Sequence, residues 1–201
     1  MTSSHHPAIS IVILAAGSSS RMGQPKQLLP FNGFSLLEQA VITAKNSKAD
    51  HVLVVLGSGA TENKKAIKHL SVETILHDRW AEGMGSSLKK GLTECLKKFQ
   101  ETKAILVMVC DQPKLTTNHL NALIDTYSKT QNIVVASRYA STVGVPAIFD
   151  HSLFGDILRV DNHQGAKSII LKHQTNLMAV DLKGGEIDLD TPEDYKTFTS
   201  Y

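Results

Sequence analysis

A chain of 201 residues, 42% hydrophobic and 20% charged, has the length and composition of a globular domain with a sizeable core. Its formal net charge of +2 is too near neutral to build a nucleic-acid or membrane surface, and no apolar run approaches the ~20 residues that a bilayer span needs. The two cysteines, Cys95 and Cys110, form neither a C-x-x-C pair nor a disulfide framework, so a reducing, cytoplasmic setting is expected.

Met1 to Pro7 is polar and has no apolar stretch of the signal-peptide kind. Residues 1–8 are therefore expected as a flexible tail and residues 9–201 as one domain. Strand-like apolar runs follow at Ile9–Leu14, His51–Leu56, Val72–Leu76, Ala104–Val109 and Ile133–Ala136. Between them Leu36–Lys45, Thr61–Leu70, Ser86–Phe99 and Leu120–Ser128 carry apolar residues at helical spacing. Thr116-Thr117-Asn118 supplies a cap for the last of these. Seven of the 21 basic residues fall in Lys64–Lys68 and Lys89–Lys98, on these helices, and are expected as solvated faces. Strand–helix alternation predicts an α/β, Rossmann-like fold with a mostly parallel sheet and helices on both faces.

From about Gly144 the pattern changes. Gly144-Val145-Pro146 reads as a turn, Gly165–His173 as a helix and Leu177–Val180 as a short strand. Asp190-Thr191-Pro192-Glu193-Asp194 reads as a helix start, with Thr191 as cap and Pro192 at the first helical position. These late segments are expected to finish the same domain and fold over one end of the sheet.

Ligands of such sheets bind beyond the carboxyl ends of the strands, and three loops there carry distinctive chemistry. The first, Ala15–Lys26, follows a buried strand. Its small residues let backbone approach a ligand closely and its N–H groups can face phosphate oxygens. Arg21 adds a planar fork of donors and Lys26 a mobile point charge. The spacing is neither a Walker A loop nor G-x-G-x-x-G. In the second, His77–Ser87, the glycines and serines of Glu82-Gly83-Met84-Gly85-Ser86-Ser87 suit ligand approach; a Ser-capped helix start is the other reading. In the third, Cys110-Asp111-Gln112-Pro113, a strand-end carboxylate suits magnesium; a turn-initiating Asp is the other reading. Asp188 and Asp190 offer further carboxylates near the far end of the chain. No G-x-S-x-G, H-E-x-x-H or Cys/His pair supports hydrolytic or nucleophilic catalysis. The nine His residues are scattered.

The segments L-A-A-G-S-S-S-R-M-G-Q-P-K, E-G-M-G-S-S-L, C-D-Q-P, G-V-P-A-I-F, Q-G-A-K and D-T-P-E-D occur in the order seen in MobA-like nucleotidyltransferases. The chain resembles most the molybdenum cofactor cytidylyltransferase branch, over roughly Ile9 to Phe198. The resemblance implies a nucleotide-diphospho-sugar transferase type of sheet and cytidylyl transfer from CTP to the molybdopterin cofactor. It implies that Leu14, Ala15, Ala16 and Gly17 line the nucleotide site, that Arg21 and Lys26 hold the triphosphate, and that Ser87 contacts the base. It implies Mg²⁺ on Asp111 and Asp190, with catalysis carried by Arg21, Lys26 and Asp111. Ala16 is the cytidylyl-branch residue where guanylyl-transferring relatives carry Gly. Asp188 has no counterpart and is expected to be simply exposed. His163, Gly165 and Lys167 fall on the acceptor side, with His163 where relatives have Asp; His77 stands where relatives often have Asn. Two other functions stay open: nucleotidyl transfer to a small phosphorylated sugar or alcohol, and a weakly active cofactor-binding chaperone for a client molybdoenzyme, which His163 favours.

Overall fold

The computed structural model describes residues 7–130 and 132–199. Residues 1–6, most of the expected tail, lie outside the described residues. Ala8 is already tied down: its carbonyl accepts from the Lys103 N–H at 2.8 Å.

In chain order the elements are β1 (Ile9–Ala15), a small hairpin of β2 (Pro30–Phe31) and β3 (Phe34–Ser35), α1 (Leu36–Lys45), β4 (His51–Leu56), α2 (Ala60–Ala66) and β5 (Glu73–Leu76). Then come α3 (Met84–Lys98), β6 (Ala104–Val109), α4 (Thr117–Lys129), β7 (Val134–Tyr139) and β8 (Thr142–Asp150). The chain continues with α5 (Phe154–Arg159), α6 (Ala166–Lys172), β9 (Leu177–Asp181) and α7 (Pro192–Thr199). Seven strands form one sheet in the order β5-β4-β1-β6-β8-β7-β9. Only β8 runs against its neighbours β6 and β7; every other pairing is parallel. The mostly parallel sheet expected from the alternation is therefore present.

Both faces are covered. Ile9, Ile11 and Ile13 of β1 point to the side of α1 and α4, where they meet Leu37, Val41, Leu120 and Ile124. Val12 and Leu14 point the other way, to Leu88 and Leu92 of α3 and to Ile157 and Ile169 of α5 and α6. This alternation is the period-2 consequence of strand geometry. Gly91 sets the depth of α3 on the sheet: a Cβ there would stand 2.6 Å from Val12 Cγ1. The expected caps form. Thr116 Oγ1 accepts from the His119 N–H at 3.3 Å, and Thr191 Oγ1 from the Asp194 N–H at 3.2 Å.

Two expectations are corrected. Gly144-Val145-Pro146 is not a turn but the interior of β8. Ala136 pairs Ala147 while Ser137 pairs Gly144, so Val145 and Pro146 occupy a bulge where the missing N–H of proline costs no ladder bond. The late segments also do more than fold over one end of the sheet, since β9 joins it as an edge strand beside β7. The α5–α6 loop and the stretch from Leu182 onward do return to the end that holds the β1 loop. Among the described residues no helix is long and apolar enough to cross a membrane.

Candidate active site

The loop after β1 is held at both ends and in its middle. The Ala16 carbonyl accepts from the Ser58 N–H at 3.0 Å. Gly57 has to be glycine here, because a Cβ would stand 2.6 Å from Ala16 O and 2.7 Å from Trp80 Cβ. Gln27, only 2% exposed, donates from Nε2 to the Gly17 carbonyl at 2.8 Å. Its Oε1 accepts from Ser19 Oγ at 3.2 Å, and Ser19 Oγ in turn accepts from the Lys26 N–H at 3.1 Å. Met22 is buried in a small cluster with Leu29, Leu36 and Leu189. Two polar clamps and one apolar anchor thus fix the loop, while the Arg21 side chain stays 72% exposed.

The second half of the site is electrostatic. Lys26 Nζ donates to Asp111 Oδ2 in a very short contact, and to Asp190 Oδ1 at 2.9 Å. Arg21 donates to the other Asp190 oxygen at 2.8 Å. Burial works against the Lys26 ammonium, but the Asp111 and Asp190 carboxylates outweigh it and hold its pKa above the ordinary lysine value. Around the Asp190 carboxyl the Lys26 hydrogen bond prevails and lowers its pKa. Asp188 is exposed, as expected, yet it is not electrically idle. Desolvation of its carboxyl and the like charges of Asp111 and Asp190 raise its pKa to about 6.

Between these halves lies a cleft of about 310 Å³, at the lower end of the range of small-molecule sites. Leu14, Ala15, Ala16, Gly17, Lys26, Ser87 and Asp111 line it. Seven residues singled out along the sequence therefore converge. Asp190 reaches the cleft through Lys26, and Arg21 reaches it through Asp190. His163 and Lys167 are exposed and do not line the cleft. Gly165 packs behind it, where a Cβ would stand 2.7 Å from Met84 Sδ.

Gly83, Met84 and Cys110 line the cleft too, inside motifs already singled out, whereas Gln27 and Trp80 had been given no part. Trp80, the one tryptophan of the chain, stands two residues before the Glu82–Ser87 motif and was the available signal. Gly83 has φ +117°, a conformation that side chains oppose. Nothing in the sequence marked Gln27 as a loop clamp. His77, which opens the second loop and departs from the Asn of relatives, is buried and meets Ser86 Oγ at 2.9 Å, and desolvation lowers its pKa.

The donor set suits a divalent cation. Asp111 Oδ1 is buried without a hydrogen-bond partner, an acceptor left over once Oδ2 has taken Lys26. An orphaned carboxylate oxygen is costly unless a cation or water satisfies it. Among the described residues no three His, Cys, Asp or Glu side chains form a ready cage. Magnesium characteristically takes one or two carboxylates and completes its shell with phosphate oxygens and water.

Residues 11–177 match the sequence family described as MobA-like NTP transferase domain. Purine catabolism protein PucB of Bacillus subtilis (strain 168) is 30% identical over 203 residues, covering 92% of this chain and 92% of that protein. The crystal structure of Rv0371c from Mycobacterium tuberculosis H37Rv matches with a TM-score of 0.85 at 26% identity, over 96% of this chain and 98% of that one. The structure of Rv0371c in complex with manganese gives a TM-score of 0.81 at 25% identity, again over 96% and 98%.

Proposed function

This chain belongs to the MobA-like NTP transferase family, and from that premise we propose that it transfers a cytidylyl group from CTP to the phosphate of the molybdopterin cofactor with Mg²⁺, releasing pyrophosphate. One observation carries the reading. A single cleft joins a neutral end, with Ser87 and the glycine turn beside it, to a charged end built from Lys26 and Asp111. A nucleoside triphosphate has the same division of chemistry along its length. Ala16, the cytidylyl-branch residue, lines this cleft and lies close against Gly57.

In this reading an oxygen of the acceptor phosphate attacks the α-phosphorus of CTP. The bond from the α-phosphorus to the bridging oxygen breaks, and that oxygen leaves with pyrophosphate. The acceptor is already an anion near neutral pH, so no protein nucleophile is needed; mutual repulsion of the two anions is the obstacle. Lys26 and Arg21 turn from Asp190 towards the incoming phosphates and offset that repulsion. Mg²⁺ on Asp111 and Asp190 adds positive charge at the phosphate oxygens when bound. His163 and Lys167 belong to the acceptor side in this proposal; Gly165, also expected there, packs under Met84 and backs the cleft wall instead.

Arg21→Lys separates charge from shape. It keeps the positive charge but loses the planar fork that grips two oxygens at once. Pyrophosphate release by Arg21→Lys should fall nearly as far as in Arg21→Ala, by about tenfold or more. Wild-type turnover in Arg21→Lys would leave this exposed side chain a role in charge alone.

The proposal is tested by competition binding of CTP, GTP and ATP with Mg²⁺, followed by pyrophosphate release with candidate acceptors. CTP should bind most tightly and turn over only with the molybdopterin cofactor. Tighter GTP binding would sink the nucleotide assignment. Turnover with a phosphorylated sugar or alcohol instead would replace the acceptor. Cofactor binding without turnover would favour a chaperone for a client molybdoenzyme.

A further inference from the structure

We infer that Asn162 and Lys89 determine nucleotide selectivity from behind the cleft, as positioning residues that hold the Glu82–Gly85 turn against the incoming base. The inference deepens the nucleotide-binding reading above and rests on it. The turn holds itself only in part: the Gly83 N–H donates to the Trp80 carbonyl at 3.1 Å, Ser86 Oγ donates to the Gly83 carbonyl at 2.7 Å, and Arg79 donates to Glu82 Oε1 at 2.5 Å. It contains two glycines, one at φ +117°, and Met84 is 56% exposed. Yet Gly83, Met84 and Ser87 form one wall of the cleft.

The rest of its support comes from the loop between α5 and α6. The Gly85 N–H donates to the Asn162 carbonyl at 2.8 Å. The two segments press together so closely that a Cβ on Gly83 would stand 2.3 Å from Asn162 O, and one on Gly85 2.1 Å from Asp161 O. The Asn162 side chain bridges the turn to the helix: Nδ2 donates to Glu82 Oε2 at 3.1 Å, and Oδ1 accepts from Lys89 Nζ at 2.5 Å. Lys89 also donates to the Val160 carbonyl at 3.0 Å. Lys89 is thus half-buried and makes two hydrogen bonds, not part of the solvated face expected of its lysine run. Gly165 closes the arrangement under the Met84 side chain. To the turn's own hydrogen bonds one amide and one ammonium add a tie to the α5–α6 loop, and neither of them lines the cleft. Ordering a mobile wall before binding spares the ligand that cost, and a rigid wall discriminates shape better than a soft one.

The test measures dissociation constants for CTP, GTP and inorganic tripolyphosphate, each with Mg²⁺ and no acceptor, alongside thermal stability. Tripolyphosphate reports the charged end alone. Asn162→Ala and Lys89→Met should weaken CTP about tenfold and narrow the CTP-to-GTP ratio, while tripolyphosphate stays within about twofold. Asn162→Asp nearly keeps the volume but sets a carboxylate against Glu82; it should show the same selective loss with little change in Tm. Lys89→Arg, which can donate to both oxygens, should recover most of the CTP affinity. Unchanged CTP affinity in folded variants would overturn the inference, as would equal loss for CTP and tripolyphosphate. A wild-type chain that binds tripolyphosphate but discriminates among no nucleotides would overturn the reading of the cleft itself, and the inference with it.

Discussion

Asp111→Ala should lower pyrophosphate release by at least about a thousandfold in a protein that still folds, on the order of several kcal/mol of lost transition-state stabilisation. Asp111 follows β6, a central strand paired with β1 along its whole length and with β8 over Ala104–Val107, so its carboxylate stands at the end of a rigid element. Removing it takes away both the oxygen that holds Lys26 and the buried oxygen that nothing satisfies. Breaking a buried ion pair typically costs ~3–5 kcal/mol. Here the loss is smaller, because Lys26 keeps Asp190 at 2.9 Å and the orphaned oxygen disappears as well. Calorimetry with and without Mg²⁺ gives a readout independent of turnover. The cation should raise the Tm of the wild type and leave that of Asp111→Ala nearly unmoved. Pyrophosphate release at the wild-type rate in the folded variant would remove Asp111 from the machinery.

Lys26→Met should be almost as damaging to transfer, by about a hundredfold or more, and it should also make stability depend on pH. Lys26 is the cation that separates Asp111 from Asp190, with Asp188 close enough to feel both. Its own raised pKa keeps it charged across the physiological range. Without it the carboxylates repel one another, and their folded-state pKa values rise above those of the unfolded chain. A folded state that binds more protons than the unfolded one gains stability as pH falls. The Tm deficit of Lys26→Met should therefore be largest near pH 8 and shrink towards pH 5.5. Mg²⁺ should narrow it at pH 8. A deficit independent of both pH and Mg²⁺ would mean that lost packing of the lysine stem, not charge, is responsible.

Much of this site was legible because strand-end loops in a parallel sheet are where chemistry gathers, and their residue types announce it. Leu14–Gly17 at the end of β1, Lys26 beyond it, Ser87 in the first turn of α3 and Asp111 after β6 meet in one cleft. The central strands were legible from apolar runs alone. The bulge at Val145-Pro146 was not, because Gly and Pro in sequence signal a turn whether or not the neighbouring strand accommodates them. The Gln27 clamp was equally hidden. A glutamine that replaces backbone hydrogen bonds inside a loop has no pattern to betray it. Lys89 was masked by its neighbours, since a lysine run looks solvated until one member finds a carbonyl and an amide.

The Asp190 carboxylate joins the site from the far end of the chain. It lies 164 residues from Lys26 and 169 from Arg21, whereas Lys26 and Asp111 are 85 apart. Its loop is pinned by Leu189 in the Met22 cluster and by α7, whose Tyr195 hydroxyl donates to the Pro30 carbonyl at 2.6 Å and whose Phe198 ring meets Phe31 at 5.2 Å. On the ribosome, β1, β4 and β6 can assemble and Lys26 can find Asp111 long before Asp190 has emerged. The nascent chain thus carries a one-carboxylate version of the site, and the second carboxylate arrives only with the segment that seals the β2–β3 hairpin. In the proposed reading, a complete triphosphate site therefore waits until the segment around Asp190 docks on the β1 loop and the β2–β3 hairpin.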